Sequence, residues 1–260
     1  SHNSNMDYDS STVKVLVLNW LYKAVLRFYD DKMDEFMRHI TDFIFKLKWY
    51  LKNKFKINRS GRVKEASKEF DDYINSLPRG SLVIDVGANV GKFTKIFLKK
   101  EFKVHAFEPD PIAINELKKN CGHDENLKLF EVAVGIKNES KKLYRYRKFD
   151  AANPETTIGS SVLSFRRGKD KPFVEIKCVD FIDYLKNIEN KIALLKMDIE
   201  GAEVEILEKI IDEKLYKKIG KIYAETHERF SNKIAIETVN LRARLVKENI
   251  NNINLNWGWD

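Results

Sequence analysis

Cysteine is almost missing from this chain, with only Cys121 and Cys178 among 260 residues. The two make no metal-ligand spacing, and so small a thiol content fits a reduced, cytoplasmic setting. Long apolar runs are missing too. The longest, Val15-Leu16-Val17-Leu18-Asn19-Trp20-Leu21-Tyr22, ends at Lys23, well short of the roughly 18 residues of a membrane span. No small-residue cleavage chemistry follows it, so a secretory signal is not expected. With 33% charged residues the chain reads as soluble. Acid is scarce in one place. Between Phe43 and Lys68, Lys46, Lys48, Lys52, Lys54, Lys56, Arg59, Arg62, Lys64 and Lys68 face the single acid Glu65. Much of the net charge of +8 sits there, and the rest is closer to balanced. No repeat or low-complexity segment is present.

The residues present are organised around Val83-Ile84-Asp85-Val86-Gly87-Ala88-Asn89-Val90-Gly91. A short apolar run, an acid and two glycines lead into the amphipathic Lys92-Phe93-Thr94-Lys95-Ile96-Phe97-Leu98, a strand, turn and helix in sequence. Glycine lets such a turn bend and lets a ligand approach the backbone at the helix N-terminus. A phosphate-cradling P-loop needs four residues before its Gly-Lys pair and Ser or Thr after the lysine. Here three residues intervene and Phe93 follows Lys92, so that reading fails. The dinucleotide fingerprint is weakened as well, because Asn89 stands where its second glycine belongs. What remains is the acid-x-Gly-x-x-x-Gly turn found in S-adenosylmethionine enzymes, where the acid can face a cationic ligand.

The length allows one large α/β domain, or one such domain with a helical appendage. Residues 1–5 read as a tag remnant ahead of Met6. Residues 6–78 read as a helical N-terminal extension, with helix over 12–58, a break at Asn58-Arg59-Ser60-Gly61 and a further helix from about Val63 to Asn75. The basic, aromatic end of this extension suits a peripheral membrane contact, an anionic substrate, a second subunit through residues 12–68, or simply a solvated helix face. From residue 79 to 260 strands and helices alternate, which demands a mostly parallel sheet flanked by helices. The expected strands are Ser81–Val86, Lys103–Glu108, Leu127–Val134, Ala193–Asp198, Lys221–Glu225 and Ile253–Trp257. The expected helices are Gly91–Lys100, Pro111–Cys121, Val179–Lys186, Ala202–Asp212 and Lys233–Lys247. Residues 135–178, with extended segments near 143–146 and 173–176, read as a β-rich insertion over the mouth of the site.

Glu108 ends the second expected strand, where an acid in this architecture accepts hydrogen bonds from a ribose diol. Ala133 and Gly135 leave room for an adenine ring. Lys196-Met197-Asp198-Ile199-Glu200-Gly201-Ala202-Glu203 sets carboxylates at the carboxyl edge of the sheet. There Asp198 can be aimed at a transferring group, while Glu203 suits a helix N-terminus. Glu225-Thr226-His227 reaches the same edge, and His227 could take a proton near neutral pH.

Val83 to Gly91, His105-Ala106-Phe107-Glu108-Pro109, Gly159-Ser160-Ser161, Lys196 to Glu203 and Glu225-x-His227 together resemble the FkbM-type family of S-adenosylmethionine-dependent methyltransferases, over roughly Leu82 to Glu228. The resemblance implies a class I, Rossmann-like methyltransferase fold. It implies O-methylation of a hydroxyl on a sugar, a glycan or glycolipid precursor, or another secondary metabolite. It puts Asp85, Gly87, Ala88, Asn89, Gly91, Glu108, Pro109 and Ala133 at the cofactor. Asp198, Glu200, Glu225 and His227 become the catalytic group, with Ser160, Ser161 and Lys196 on the substrate side. It also implies a closing strand hairpin, for which only Asn252 to Asp260 remains.

Either His227 or Asp198 is expected to take the acceptor proton. No metal site is predicted; a divalent cation on Asp198, Glu225 and His227 is the secondary reading. A nucleic-acid methyltransferase is the first rival, suggested by charge. Against it, the Asn/Asp-Pro-Pro-aromatic signature is missing, Asn153-Pro154 being followed by Glu155. A non-catalytic binding protein that kept the fold is the second rival.

Overall fold

Alternate residues of the strand Leu82–Val86 (β1) point to opposite sides, and that alternation sorts the core into two layers. Ile84 and Val86 join one apolar cluster and Val83 the other. The same sorting separates Leu195 and Met197 from Leu194 in Ile192–Met197 (β7), and Ile222 from Tyr223 in Ile219–Ala224 (β8). Strands buried on both sides need helices on both sides. The computed structural model, which describes residues 59–145, 150, 152–157, 160–162 and 172–258, supplies them.

With Lys103–Phe107 (β2), Leu127–Phe130 (β3) and Ile253–Asn254 (β9), the main sheet has the order β3-β2-β1-β7-β8-β9, and every neighbouring pair is parallel. Arg59–Ser76 (α1), Lys92–Lys99 (α2) and Pro111–Cys121 (α3) cover one face through Phe70, Phe97 and Leu117. Phe181–Lys186 (α4), Glu203–Asp212 (α5) and Asn232–Lys247 (α6) cover the other through Leu185, Ile206 and Leu241. Side-chain caps fix where helices start: Asp110 accepts from the Ile112 N–H ahead of Pro111, Asp180 caps α4 and Ser231 caps α6.

Four expectations need correction. The third strand does not run from Leu127 to Val134. The chain leaves the sheet at exposed Glu131, and the wholly buried Ala133–Gly135 (β4) joins a second sheet. That sheet has the order β4-β6-β5, formed with Glu139–Tyr144 (β5) and Phe173–Asp180 (β6). The β5–β6 pair is antiparallel, with Leu143 opposite Val174, so the insertion is β-rich as expected. No break stands at residues 59–61, because α1 starts at Arg59. The boundary between compact units falls between Gly61 and Arg62, not after residue 78. Ala66, Phe70 and Ile74, four apart on one stripe, are the reason, since all three are core. Phe70 meets Phe93 and Tyr223 edge-on at ring separations of 5.6 and 5.1 Å. Lastly, the implied closing hairpin is, among the described residues, the two-residue strand β9 lying parallel to β8.

The helices expected over 12–58 and their basic, aromatic end lie outside the described residues. Among the described residues no helix is long and apolar enough to cross a membrane.

Candidate active site

β1 and β7 sit side by side while their chain connections run off in opposite directions, and at such a switch point the strand ends leave a crevice. A cavity of about 440 Å³ occupies it. Its wall includes Gly87, Ala88 and Asn89 after β1, Glu108 and Pro109 after β2, and Ala133 in β4. Asp198 and Glu200 after β7, and Glu225 and His227 after β8, also line it.

The turn after β1 is shaped by close packing. Gly87 has φ +78°, and a Cβ on it would lie 1.8 Å from the Asp198 carbonyl oxygen. Gly91 has φ +85°, and its Cβ would meet Leu117 Cγ at 2.9 Å. Both glycines therefore admit protein, from β7 and α3, where the sequence suggested room for a ligand. Asn89, at φ 49°, takes the remaining left-handed position. Asp85 is not on the cavity wall. Fully buried, it accepts from Thr94 Oγ1 at 2.7 Å and lies 3.1 Å from Lys196 Nζ. That ammonium also donates to the Gly87 carbonyl at 2.8 Å. The acid expected to face a cationic ligand thus anchors the turn from beneath. Lys196, expected on the substrate side, is 2% exposed and occupied with the same task, although it touches the cavity wall.

Glu108 stands where the sequence put it. Its Oε2 accepts the Asn89 N–H and its Oε1 the Asp110 N–H, both at 2.8 Å. Burial pushes its pKa up to about 7, with the Asn89 hydrogen bond pulling the other way.

At the opposite end four acidic groups surround one imidazole. His227 is 1% exposed, and its Nδ1 lies 2.9 Å from Glu203 Oε1. Its Nε2 points to Glu200 Oε2, Asp198 Oδ1 and Glu225 Oε1 at 3.6, 3.7 and 3.9 Å. Glu203 is itself fully buried and held by the Ile199 and Gly201 N–H groups, each at 2.9 Å. Burial works against a charged ring, but Glu203, Glu200 and Asp198 outweigh it and lift the pKa of His227 to about 9. Withdrawal from water raises Asp198 to about 7, while Lys196 opposes that rise and Glu225 adds to it.

Ser160 lines the cavity, and its buried Oγ has no hydrogen-bond partner among the described residues. Ser161 does not line it; its Oγ donates to the Glu200 carbonyl at 2.8 Å. Gly159 lies outside the described residues. Several residues that the sequence reading did not single out complete the arrangement. Thr157 Oγ1 donates to Asn89 Oδ1 at 2.9 Å, and the buried Arg145 pairs with Asp110. The insertion therefore braces the loops after β1, β2 and β7. Arg229 reaches Glu225 at 3.2 Å, and Phe230 stacks on His227 at 4.6 Å.

A parallel sheet with this switch-point cavity, a tight turn after β1 and a buried glutamate ending β2 is the class I, Rossmann-like methyltransferase architecture. The sequence matches the methyltransferase FkbM domain over residues 85–256, and the chain belongs to that family of methyltransferases. It is 28% identical over 190 residues to methyltransferase sdnD of Sordaria araneosa, spanning 60% of this chain and 70% of that protein. It is 24% identical over 152 residues to methyltransferase 1 of Beauveria bassiana, spanning 52% and 61% respectively. Among solved structures, a TehB-like SAM-dependent methyltransferase from Corynebacterium glutamicum aligns over 76% of this chain and 80% of its own, at 13% identity and a TM-score of 0.32. That last likeness is too slight to carry an argument.

Proposed function

We propose that the chain moves a methyl group from S-adenosylmethionine onto a hydroxyl of a small molecule: a sugar, a glycan or glycolipid precursor, or a secondary metabolite. The observation that carries this reading is a single cavity with two chemically different ends. Glu108 and the β1 turn form one, and Asp198, Glu200, Glu225 and His227 the other. Family membership supports it.

The first end suits a nucleoside. Each Glu108 oxygen takes one backbone N–H and keeps a lone pair for a ribose hydroxyl. Val132, Ala133 and Val134 give an apolar wall for an adenine ring. When bound, the cofactor supplies an electrophilic methyl on a sulfonium that is also a good leaving group. The chain's own contribution is alignment of the acceptor and handling of its proton. Asp198 offers a carboxylate oxygen on the cavity wall for that proton. His227, fixed by Glu203, presents Nε2 to the same space. The acidity of this end repels a phosphate backbone and favours a neutral or cationic small acceptor over nucleic acid.

The test is Asp198→Asn with labelled cofactor and a panel of sugar and glycan precursors. Turnover should fall about 10²- to 10⁴-fold, with calorimetric affinity for S-adenosylmethionine held within about twofold. Unchanged turnover removes Asp198 from the chemistry. No heat with S-adenosylmethionine removes the methyl-transfer reading itself.

A further inference from the structure

We propose that Asp198, Glu200 and His227 hold a divalent cation whose open positions face the cavity. This deepens the methyl-transfer reading and rests on it only for the cation's use, not for its binding.

The sequence alternative used Glu225 as the third ligand; the geometry points to Glu200. One ligand atom from each of Asp198, Glu200 and His227 lies within 4.8 Å of the others. Glu225 is farther from Nε2, at 3.9 Å, and is engaged by Arg229. The spacing has a direct physical reading. At 3.6 and 3.7 Å, Nε2 is beyond hydrogen-bond distance of Glu200 and Asp198. Donor atoms that share one ion at about 2.0–2.2 Å lie roughly 3.0–3.5 Å apart. Both Nε2-to-oxygen distances lie within about 0.7 Å of that spacing, and all three ligand atoms lie within 4.8 Å of one another.

The second observation is the histidine itself. His227 is 99% withdrawn from solvent, and its Nε2 faces Glu200 and Asp198 at 3.6 and 3.7 Å, beyond hydrogen-bond distance of either. Its other nitrogen lies 2.9 Å from Glu203 Oε1, and Glu203 is held in turn by two backbone N–H groups. A carboxylate behind a histidine is how metal-ligating imidazoles are oriented and made better donors. Two carboxylates and one imidazole suit an ion that accepts oxygen and nitrogen together, with Mn²⁺ or Mg²⁺ ahead of thiol-seeking metals. Such a cation would polarise an acceptor hydroxyl and favour acceptors with two neighbouring oxygens, such as a vicinal diol.

The experiment titrates the metal-stripped full chain with Mn²⁺, without cofactor, following free ion by electron paramagnetic resonance. One ion per chain is expected, with Mg²⁺ competing. Asp198→Asn and His227→Gln should each weaken binding at least tenfold. Glu203→Gln, which keeps all three ligands, should weaken it about 10- to 100-fold. Cooperative thermal unfolding checks that each variant is folded, and the near-isosteric Asp198→Asn decides if His227→Gln is not. Mn²⁺ binding no tighter than the Asp198→Asn chain shows would overturn the site. Retention of wild-type affinity in Asp198→Asn would overturn it equally. A vicinal-diol sugar should tighten Mn²⁺ binding where a simple alcohol does not; equal effects overturn the chelating-acceptor part. The same samples are titrated with S-adenosylmethionine in chelator. Cofactor binding with no Mn²⁺ binding sinks the cation site alone, whereas Mn²⁺ binding without cofactor binding sinks methyl transfer and leaves the site standing.

Discussion

The two ends of the cavity handle buried charge in opposite ways. At the cofactor end Asp85 has Thr94 and Lys196, Lys196 has the Gly87 carbonyl, and Glu108 has two backbone N–H groups, all within 2.7–3.1 Å. At the acceptor end Asp198, Glu200 and Glu225 stand 3.6–3.9 Å from the imidazole nitrogen they surround. One end is closed by the protein's own hydrogen bonds and gains definition from them. The other converges on the imidazole at longer range, with Glu203 2.9 Å from its other nitrogen and Arg229 3.2 Å from Glu225. On the proposed reading, the scaffold is most densely hydrogen-bonded where the cofactor would lie and less so where the acceptor would.

The comparison breaks most severely if the cofactor end loses its cation. Lys196→Met leaves Asp85 buried without its ammonium, a change that costs about 3–5 kcal/mol and lowers the melting temperature by roughly 10 °C for a unit of this size. Denaturant unfolding measures it. Adding Asp85→Asn should restore much of the loss, because a neutral pair of similar volume avoids the unpaired charge. If the double variant is as unstable as the sum of the single ones, the two side chains do not act as a pair.

Glu108→Gln comes next. Losing charge-assisted hydrogen bonds to two hydroxyls costs about 1.5–3 kcal/mol, or roughly 10- to 100-fold in affinity for S-adenosylmethionine. The pH dependence sharpens it. Glu108 has a folded pKa of about 7, above its ordinary 4.5. A proton therefore has to leave before both oxygens can accept, and affinity should rise between pH 6 and 8 as the carboxylate forms. The Gln variant should be flat over that range in calorimetry. For stability the sign is opposite. With the folded pKa raised, the protonated form favours folding, and that contribution is present at low pH and lost as pH rises through about 7.

The cofactor end was the legible one. Strand, turn, helix, strand and acid follow one another along the chain, so Glu108 could be placed by counting from Asp85. Asp85 itself shows the limit: its place at the strand end could be read, but not that its side chain turns beneath the loop to Lys196, 111 positions away in the pairing of β1 with β7. The acceptor-end acids were legible as strand endings. Glu203 was read as a helix-start acid, and only folding shows that the same side chain also grips His227. Arg145 and Thr157 carried no signal, because their partners Asp110 and Asn89 lie across a long insertion whose path sequence patterns do not fix. The split of the third strand was hidden for a related reason, since a continuous apolar pattern does not reveal which sheet it enters.

The smallest effect tests the comparison most finely, because one hydroxyl of the insertion reaches each end. Thr157 Oγ1 holds Asn89 at the cofactor end, and Ser161 Oγ holds the Glu200 carbonyl at the acceptor end. Thr157→Val keeps shape and removes the hydroxyl, at a cost of about 0.5–1.5 kcal/mol. Since the Asn89 N–H is one of the two donors on Glu108, the loss should appear as a few-fold weaker calorimetric affinity for S-adenosylmethionine, with turnover at saturating cofactor nearly unchanged. Ser161→Ala should do the reverse, leaving that affinity alone and lowering turnover, because Glu200 sits at φ 62° and depends on its surroundings to stay there. If both variants shift affinity and turnover together, the insertion acts as one rigid cover, and the two ends are not separately adjustable.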